Sequence, residues 1–238
     1  MIKIGNFLFH YRNGLFPLVY LLLFPKSAWL LPDFRTAAVF GLVIAAFGQF
    51  VRATAIGLDY IIRGGRNRQV YAEELVQGGM FAHCRNPLYV GNFLIVVGLG
   101  IASNSTLFIT IGIPFFIFAY WAIIAAEENF LRNKFGAAFD TYCARVNRII
   151  PNFSGLGKTL KGMKFNWSRL IIKEYGTTYI WTLAMILVVL KNIWSNDQYQ
   201  ADNPLVWTLW LLLGLVTMAY GIARYLKKTG KMTEETSA

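Results

Sequence analysis

Charged side chains are scarce in this sequence: Asp, Glu, Lys and Arg make up 15% of 238 residues, where a soluble domain carries about a quarter. Hydrophobic residues make up 56%. That shortage of polar surface excludes an ordinary soluble domain and puts the membrane class first. Acid is scarcer than base, 12 residues against 23, for a formal net charge of +11. In a soluble chain such an excess would suggest nucleic acid. Here the basic residues cluster between apolar runs, so membrane orientation accounts for them and no nucleic-acid partner is expected. Histidine and cysteine are nearly missing, with two of each. His10 and His83 lack a clustered third ligand, which favours structural roles over a metal site. Cys84 and Cys143 fall in segments assigned below to the cytoplasm, where a structural disulfide is not expected. Nor is a cleavable signal peptide, because Lys3, Asn6, His10, Arg12 and Asn13 interrupt the first apolar stretch.

What is present is a series of long apolar stretches. A spanning helix needs about 20 mostly apolar residues. The candidates are about Gly14–Leu31, which contains Pro17, Pro25 and Lys26; Thr36–Val51, with room to continue past Arg52 to Ile62; the short, glycine-rich Tyr89–Ala102; Thr106–Ala126; Thr177–Leu190; and Pro204–Tyr220. With both termini inside, the outer loops hold only Lys26, Arg35 and Lys191 of the 23 basic residues. That bias predicts an all-α, polytopic integral membrane protein of about six transmembrane helices with both termini cytoplasmic, in a bacterial inner membrane or the endoplasmic reticulum. Ser103, Asn104 and Ser105 read as a tight outer turn.

Two inner segments, Arg63–Leu88 and Glu127–Gly176, are too long for turns and are expected to fold into a site. The first carries a turn signal at Gly78-Gly79 and ends His83-Cys84-Arg85-Asn86-Pro87-Leu88-Tyr89-Val90-Gly91. Asn86 is placed to cap the third span, with its side chain accepting from free backbone N–H groups and Pro87 in the first turn. The second opens on Glu127-Glu128, two carboxylates at the inner end of an apolar helix. Either the helix runs on into water and solvates them, or they face a cation, and ionisable groups at membrane depth are functional candidates.

Arg85-Asn86-Pro87-Leu88-Tyr89-Val90-Gly91 resembles the Arg-His-Pro-x-Tyr-x-Gly signature of the membrane methyltransferases that include isoprenylcysteine carboxyl methyltransferase and the phospholipid N-methyltransferases. The second segment is similar to the same family in its Glu-Glu-x-x-Leu at Glu127, Glu128 and Leu131, its Phe135-Gly136, and Tyr142, Arg145-Val146 and Pro151. Gly48 and Arg52 resemble the Gly-x-x-x-Arg that closes the preceding helix. Asn86 stands where the family usually has His, Phe139 where it has Tyr, and Asn147 where Pro is common. The resemblance covers about 48–153 as a core, with 154–238 as extra C-terminal helices of one transmembrane domain.

The resemblance implies methyl transfer from S-adenosyl-L-methionine (SAM) to a lipid or prenylated small-molecule or peptide acceptor, with the cofactor site on the cytoplasmic side. Glu127 and Glu128 would take the cofactor's ammonium. Asn86, Tyr89 and Gly91 would line its pocket, and the backbone around Leu75, Val76 and onward to Phe81 would wrap the adenosine. Arg85 and Arg145 would hold an anionic acceptor group. Carboxyl O-methylation of an isoprenylcysteine-like group is preferred to N-methylation of a phospholipid headgroup. Two rivals remain. An NADPH-dependent reductase of the sterol type shares a similar Arg-x-Pro-x-Tyr-x-Gly stretch, but adjacent carboxylates would repel a dinucleotide's phosphates. An inactive scaffold finds support in Asn86 replacing His.

Gly155-Leu156-Gly157-Lys158-Thr159 fails as a phosphate loop, since the upstream glycine position is Asn152 and no strand precedes it. From Leu156 to Lys173 apolar and basic residues alternate at helical spacing, which predicts an amphipathic interfacial helix on anionic membrane lipids.

Overall fold

The computed structural model describes residues 1–25, 30–58, 72–162, 164–196 and 203–233. The expectations that rested on Lys26, on residues 59–71 and on Met163 lie outside them. The described residues form helices and no strands: α1 (Ile2–Tyr20), α2 (Phe34–Leu58), α3 (Pro87–Ser103), α4 (Ile113–Phe135), α5 (Ala137–Arg145), α6 (Leu156–Gly162), α7 (Trp167–Ser195) and α8 (Pro204–Lys228). A π-turn, Phe108–Gly112, leads into α4 just before Pro114, whose missing N–H breaks the regular ladder. Counting that turn with α4, four helices are long and apolar enough to cross a membrane, namely α2, α4, α7 and α8, and α3 is a shorter apolar one. The chain is therefore an all-α, multi-pass membrane protein.

Three expectations are corrected. The first apolar helix is not Gly14–Leu31 but begins at Ile2 and gives way after Tyr20 to a 3-10 turn, Leu21–Leu23. Its polar residues did not delay it because its start packs tightly. A Cβ on Gly5 would come within 2.0 Å of the Ala122 carbonyl of α4. The interfacial helix foreseen over Leu156–Lys173 is two pieces: α6 is short, and Trp167 onward already belongs to α7, capped by Asn166 through a bond from the Arg169 N–H (2.8 Å). The fifth span is accordingly longer than Thr177–Leu190.

Helices α2 and α3 form the closest pair, and small residues make it possible. A Cβ on Gly48 would lie 2.6 Å from the Gly91 carbonyl, and one on Gly98 would lie 2.5 Å from the Gly41 carbonyl. Backbones approach this closely in membranes where side chains are reduced to hydrogen. Helix α1 lies along α4. Helix α7 packs on both α2 and α3, and α8 rests on α7 and is otherwise almost wholly exposed.

One end of the bundle is pinned by polar caps. Asn104, in the left-handed conformation (φ 52°), closes α3, and its amide exchanges two 2.7 Å hydrogen bonds with the Leu31 backbone. Lys191 Nζ donates to the Ser103 and Leu23 carbonyls (2.8 and 3.3 Å), and Asn192 Nδ2 to that of Ala102 (2.8 Å). The orphan carbonyls of α3 are thus satisfied by α7, with a cation where the helix dipole favours one. Gly5 against α4 and Lys227 Nζ on the Ile172 carbonyl (3.1 Å) place the start of α1 and the end of α8 at the opposite end of the bundle.

Replacing Gly48 by Leu should overpack the α2–α3 seam and cost about 1–3 kcal/mol. A melting scan in detergent should show a lower midpoint. Gly176→Ala, where an added Cβ meets nothing within 4 Å, should leave it unchanged.

Candidate functional site

The two inner segments do meet, and they are laced along their length. Residues 83–86 run beside 147–152: the Arg85 N–H donates to the Asn147 carbonyl and the Asn152 N–H to the His83 carbonyl, both at 2.9 Å. His83 Nδ1 pairs with the Asn152 carbonyl (2.7 Å) and Nε2 with the Thr159 hydroxyl (2.8 Å), so the ring staples this loop to α6. Cys84 is fully buried with its thiol on the Ile149 carbonyl (3.1 Å). Burial pushes that thiol up to about 11. Asn86 stands at the N-cap of α3, but its side chain makes no cap bond there, contrary to expectation. Its Nδ2 instead donates to the Arg148 carbonyl (3.0 Å), leaving capping to the backbone carbonyl of Asn86, which accepts from Tyr89 and Val90. Tyr142 completes the lacing with a 2.7 Å bond to the Phe81 carbonyl.

Against this frame the two carboxylates separate. Helix α4 continues past them to Phe135, yet Glu127 and Glu128 are only 6% and 8% exposed, so they are not a solvated pair. Neighbours on a helix project about 100° apart, and each acid finds its own surroundings. Glu127 accepts from the Tyr89 hydroxyl (2.8 Å). Glu128 takes Arg148 at 2.6 Å and has Arg85 Nη1 at 3.4 Å, but its Oε1 has no hydrogen bond among the described residues.

A cavity of about 720 Å³ opens beside Glu127. Helices α1, α3 and α7 run in the same direction along it, and their polar lining residues gather toward one end. On α1 Arg12 and Asn13 precede Phe16, Pro17 and Tyr20; on α3 and its cap Asn86, Leu88, Tyr89 and Asn92 precede Ile95 and Leu99; on α7 Lys173, Glu174 and Thr177 precede Ile180, Trp181, Ala184 and Leu187. The result is a polar vestibule above an apolar shaft. From Thr177 to Leu187 the shaft follows about 15 Å of helix.

The vestibule is held by one buried ion pair. Arg52 of α2 meets Glu174 of α7 through Nε (2.5 Å) and Nη2 (2.7 Å), and its Nη1 donates to Asn92 of α3 (2.5 Å). Gln49 extends the network, donating to Glu174 (3.3 Å) and accepting from the Trp181 indole (2.7 Å).

Of the residues singled out by sequence, Asn86, Tyr89 and Glu127 line the cavity. Gly91 packs instead against Arg52 and the Gly48 carbonyl, where a Cβ would clash. Leu75 packs with Ala72, Leu131, Phe139 and Tyr142, and neither it nor Val76 is in the lining. Arg85 is turned to Glu128 and to the Cys143 sulfur (2.6 Å), and Arg145 reaches Gln77 at the surface (2.9 Å). Neither arginine lines the cavity. Glu174 was missed because the fifth span appeared to begin after it. An acid just ahead of an apolar run, with a lone arginine in an earlier span, was the available signal.

The fold and cavity define a membrane protein with a site at one end of its helices. A sequence model of the phospholipid methyltransferase family matches residues 36–138. The chain is 30% identical over 160 residues to the cobalt-zinc-cadmium resistance protein CzcN of Cupriavidus metallidurans, covering 63% of this chain and 68% of that one. It is 31% identical over 128 residues to the nickel-cobalt-cadmium resistance protein NccN of Alcaligenes xylosoxydans xylosoxydans, covering 54% of each, so the match spans about half of NccN. No solved structure matches. The chain belongs to the phospholipid methyltransferase family of membrane proteins, with relatives named for metal resistance.

Removing one member of the Arg52–Glu174 pair leaves a buried charge alone, which costs about 3–5 kcal/mol. Arg52→Met and Glu174→Leu should each lower the melting point sharply, and the double variant should recover much of the loss. Separately, a chain whose only cysteine is Cys84 should react slowly with iodoacetamide at pH 8.

Proposed function

We propose that the chain is a membrane-embedded, SAM-dependent methyltransferase acting on a lipid-like acceptor. The observation that carries this reading is the graded cavity, with a buried carboxylate in its polar vestibule and an apolar shaft beyond, inside a chain of this family. The residues present fit the cofactor. Glu127 is a buried acceptor for an ammonium on the cavity wall, whereas Glu128, paired with Arg148 and Arg85, is outside the lining and holds the neighbouring loop instead. Asn86 and Tyr89 stand beside Glu127 on the same wall. When bound, SAM supplies an already activated methyl group. The chain's part is placement: Tyr89 fixes Glu127, the Arg52–Glu174 pair fixes the vestibule wall, and the shaft aligns the acceptor's tail while excluding water.

A carboxylate acceptor arrives ionised and needs no base. An amine must first lose a proton, and Glu127, the vestibule carboxylate outside the Arg52 pair, would be taken up by the cofactor. Carboxyl O-methylation of an isoprenylcysteine-like group is therefore preferred to headgroup N-methylation. This reading puts the site and both termini on the cytoplasmic side, where SAM is found, in keeping with the bias of basic residues toward the inner loops. Methylating an anionic group would also remove charge that attracts cations to a membrane surface, which is compatible with relatives named for metal resistance.

Calorimetry on the purified protein should show binding of SAM and its demethylated product but not NADPH. Glu127→Gln should weaken SAM binding at least tenfold, about 1.4 kcal/mol. Binding of NADPH alone would favour a reductase, and binding of neither by a folded sample would favour a scaffold.

A further inference from the structure

We propose that Lys191 is the floor of the apolar shaft, so that the far end of the shaft is closed and sets how long a tail the acceptor can carry. This deepens the reading of the cavity as the acceptor site and rests on it. Lys191 stands near the end of α7, at the end of the bundle opposite the vestibule. It falls outside the matched residues 36–138.

The three helices that run along the shaft leave it at one level. Among the described residues its last lining positions are Phe24 after α1, Leu99 on α3 and Leu187 on α7. One turn beyond Leu187 comes Lys191, and one turn beyond Leu99 comes Ser103. Leu23 adjoins Phe24. Lys191 Nζ joins all three segments: it donates to the Ser103 carbonyl at 2.8 Å and to the Leu23 carbonyl at 3.3 Å. Asn192 Nδ2 adds a bond to the Ala102 carbonyl (2.8 Å). The Leu23 side chain is fully buried in the same cluster as Leu99 and Val188, so apolar packing closes the bundle where the lining stops.

A lysine suits this position. The last carbonyls of α3 have no partner within the helix. At the end of an apolar shaft an unsatisfied carbonyl costs free energy or draws in water. Lys191 and Asn192 satisfy Ser103 and Ala102 and so keep the end dry. The lysine stem is apolar while its head is held by the carbonyls, and its reach lets one side chain tie α7 to α3 and to the turn after α1. Ionisable groups at membrane depth are functional candidates, and the function here is a stop. The length it allows follows from the helix. From Thr177 to Leu187 the shaft follows about 15 Å, at about 1.5 Å per residue. An extended laurate tail, a zigzag of bonds of about 1.5 Å, measures about 14 Å and fills it, whereas that of arachidate, about 24 Å, runs into the floor. The class that fits is an amphiphile whose tail has about the reach of laurate.

The test uses the full chain in an uncharged steroidal detergent, whose rigid body does not compete for an alkyl-width shaft. Octanoate, laurate and arachidate are titrated by calorimetry, with affinities expressed against mole fraction in detergent so that the gain from leaving water cancels. Laurate should bind best, and arachidate at least tenfold more weakly. Lys191→Ala should remove most of that penalty and leave laurate unchanged, while Lys191→Arg, which keeps a long stem and its donors, should preserve it. Ala184 lines the shaft about 10 Å along from Thr177, and filling it acts in the opposite sense: Ala184→Leu should make octanoate the tightest binder. A lysine that only stabilises the fold would lower the melting point of Lys191→Ala without altering the length preference, and that result would overturn the proposal. So would a parent chain that binds arachidate as well as laurate. If Lys191→Ala does not fold, an unchanged preference in Ala184→Leu would overturn it, and the shift to octanoate would support it. The expected length preferences in a chain that binds no SAM would support the floor and count against the methyltransferase reading. SAM binding without any length preference would do the reverse.

Discussion

A guanidinium and a carboxylate meet out of water between α2 and α7, and the shape of the site depends on that meeting. Arg52 takes Glu174 in two-point contact and Asn92 in a third. Burying two charges is costly, and a pair of this kind repays little net stability over apolar residues. What it gives is position. Three helices are fixed at one level, and the level chosen is that of Tyr89 and Glu127. The close α2–α3 seam sets where Arg52 can stand, since Gly91 leaves room for its methylenes. Glycines at the seam and charge at the vestibule are therefore one construction.

Glu127 and Glu128 show how adjacent residues are given separate tasks. The helical turn between them sends one toward the cavity and the other toward Arg85 and Arg148. Glu128 thereby binds the loop that follows α5 to the start of α3, and Asn86 does the same from the other side by reaching the Arg148 carbonyl. Asn86 replaces a usual histidine without losing a place in the site, because an amide can still bridge two chains by hydrogen bonding. The loop and the cavity wall are consequently coupled through α4.

Much of this was legible in the sequence. Apolar runs gave α2, α3, α4 and α8 nearly in place, and the lacing of the inner segments followed from their length and motifs. Illegible were features set by contacts distant in sequence. Glu174 lies 122 residues from Arg52, and nothing local marks it as a partner. Helix α1 begins early because Gly5 fits against α4, which hydropathy cannot see. Arg85 and Arg145 matched the family pattern as residues, but which way an arginine points depends on the nearest acid or acceptor, and Glu128 and Gln77 lie closer than the cavity.

The division of the cavity between shared and unshared helices bears on how such a protein can change its acceptor. The wall that carries Tyr89 and Glu127 comes from α3 and α4, inside the stretch matched to the family. The opposite walls come from α1 and α7, outside it. Substitutions on α1 or α7 that keep Glu174 alter the shaft and the lining cations while the Tyr89–Glu127 pair stays fixed by its own hydrogen bond. Helix α7 is thus not merely an added anchor. It supplies one member of the central ion pair and a full side of the shaft, while α8, resting on α7 and open elsewhere to the surroundings, can vary with little consequence for either.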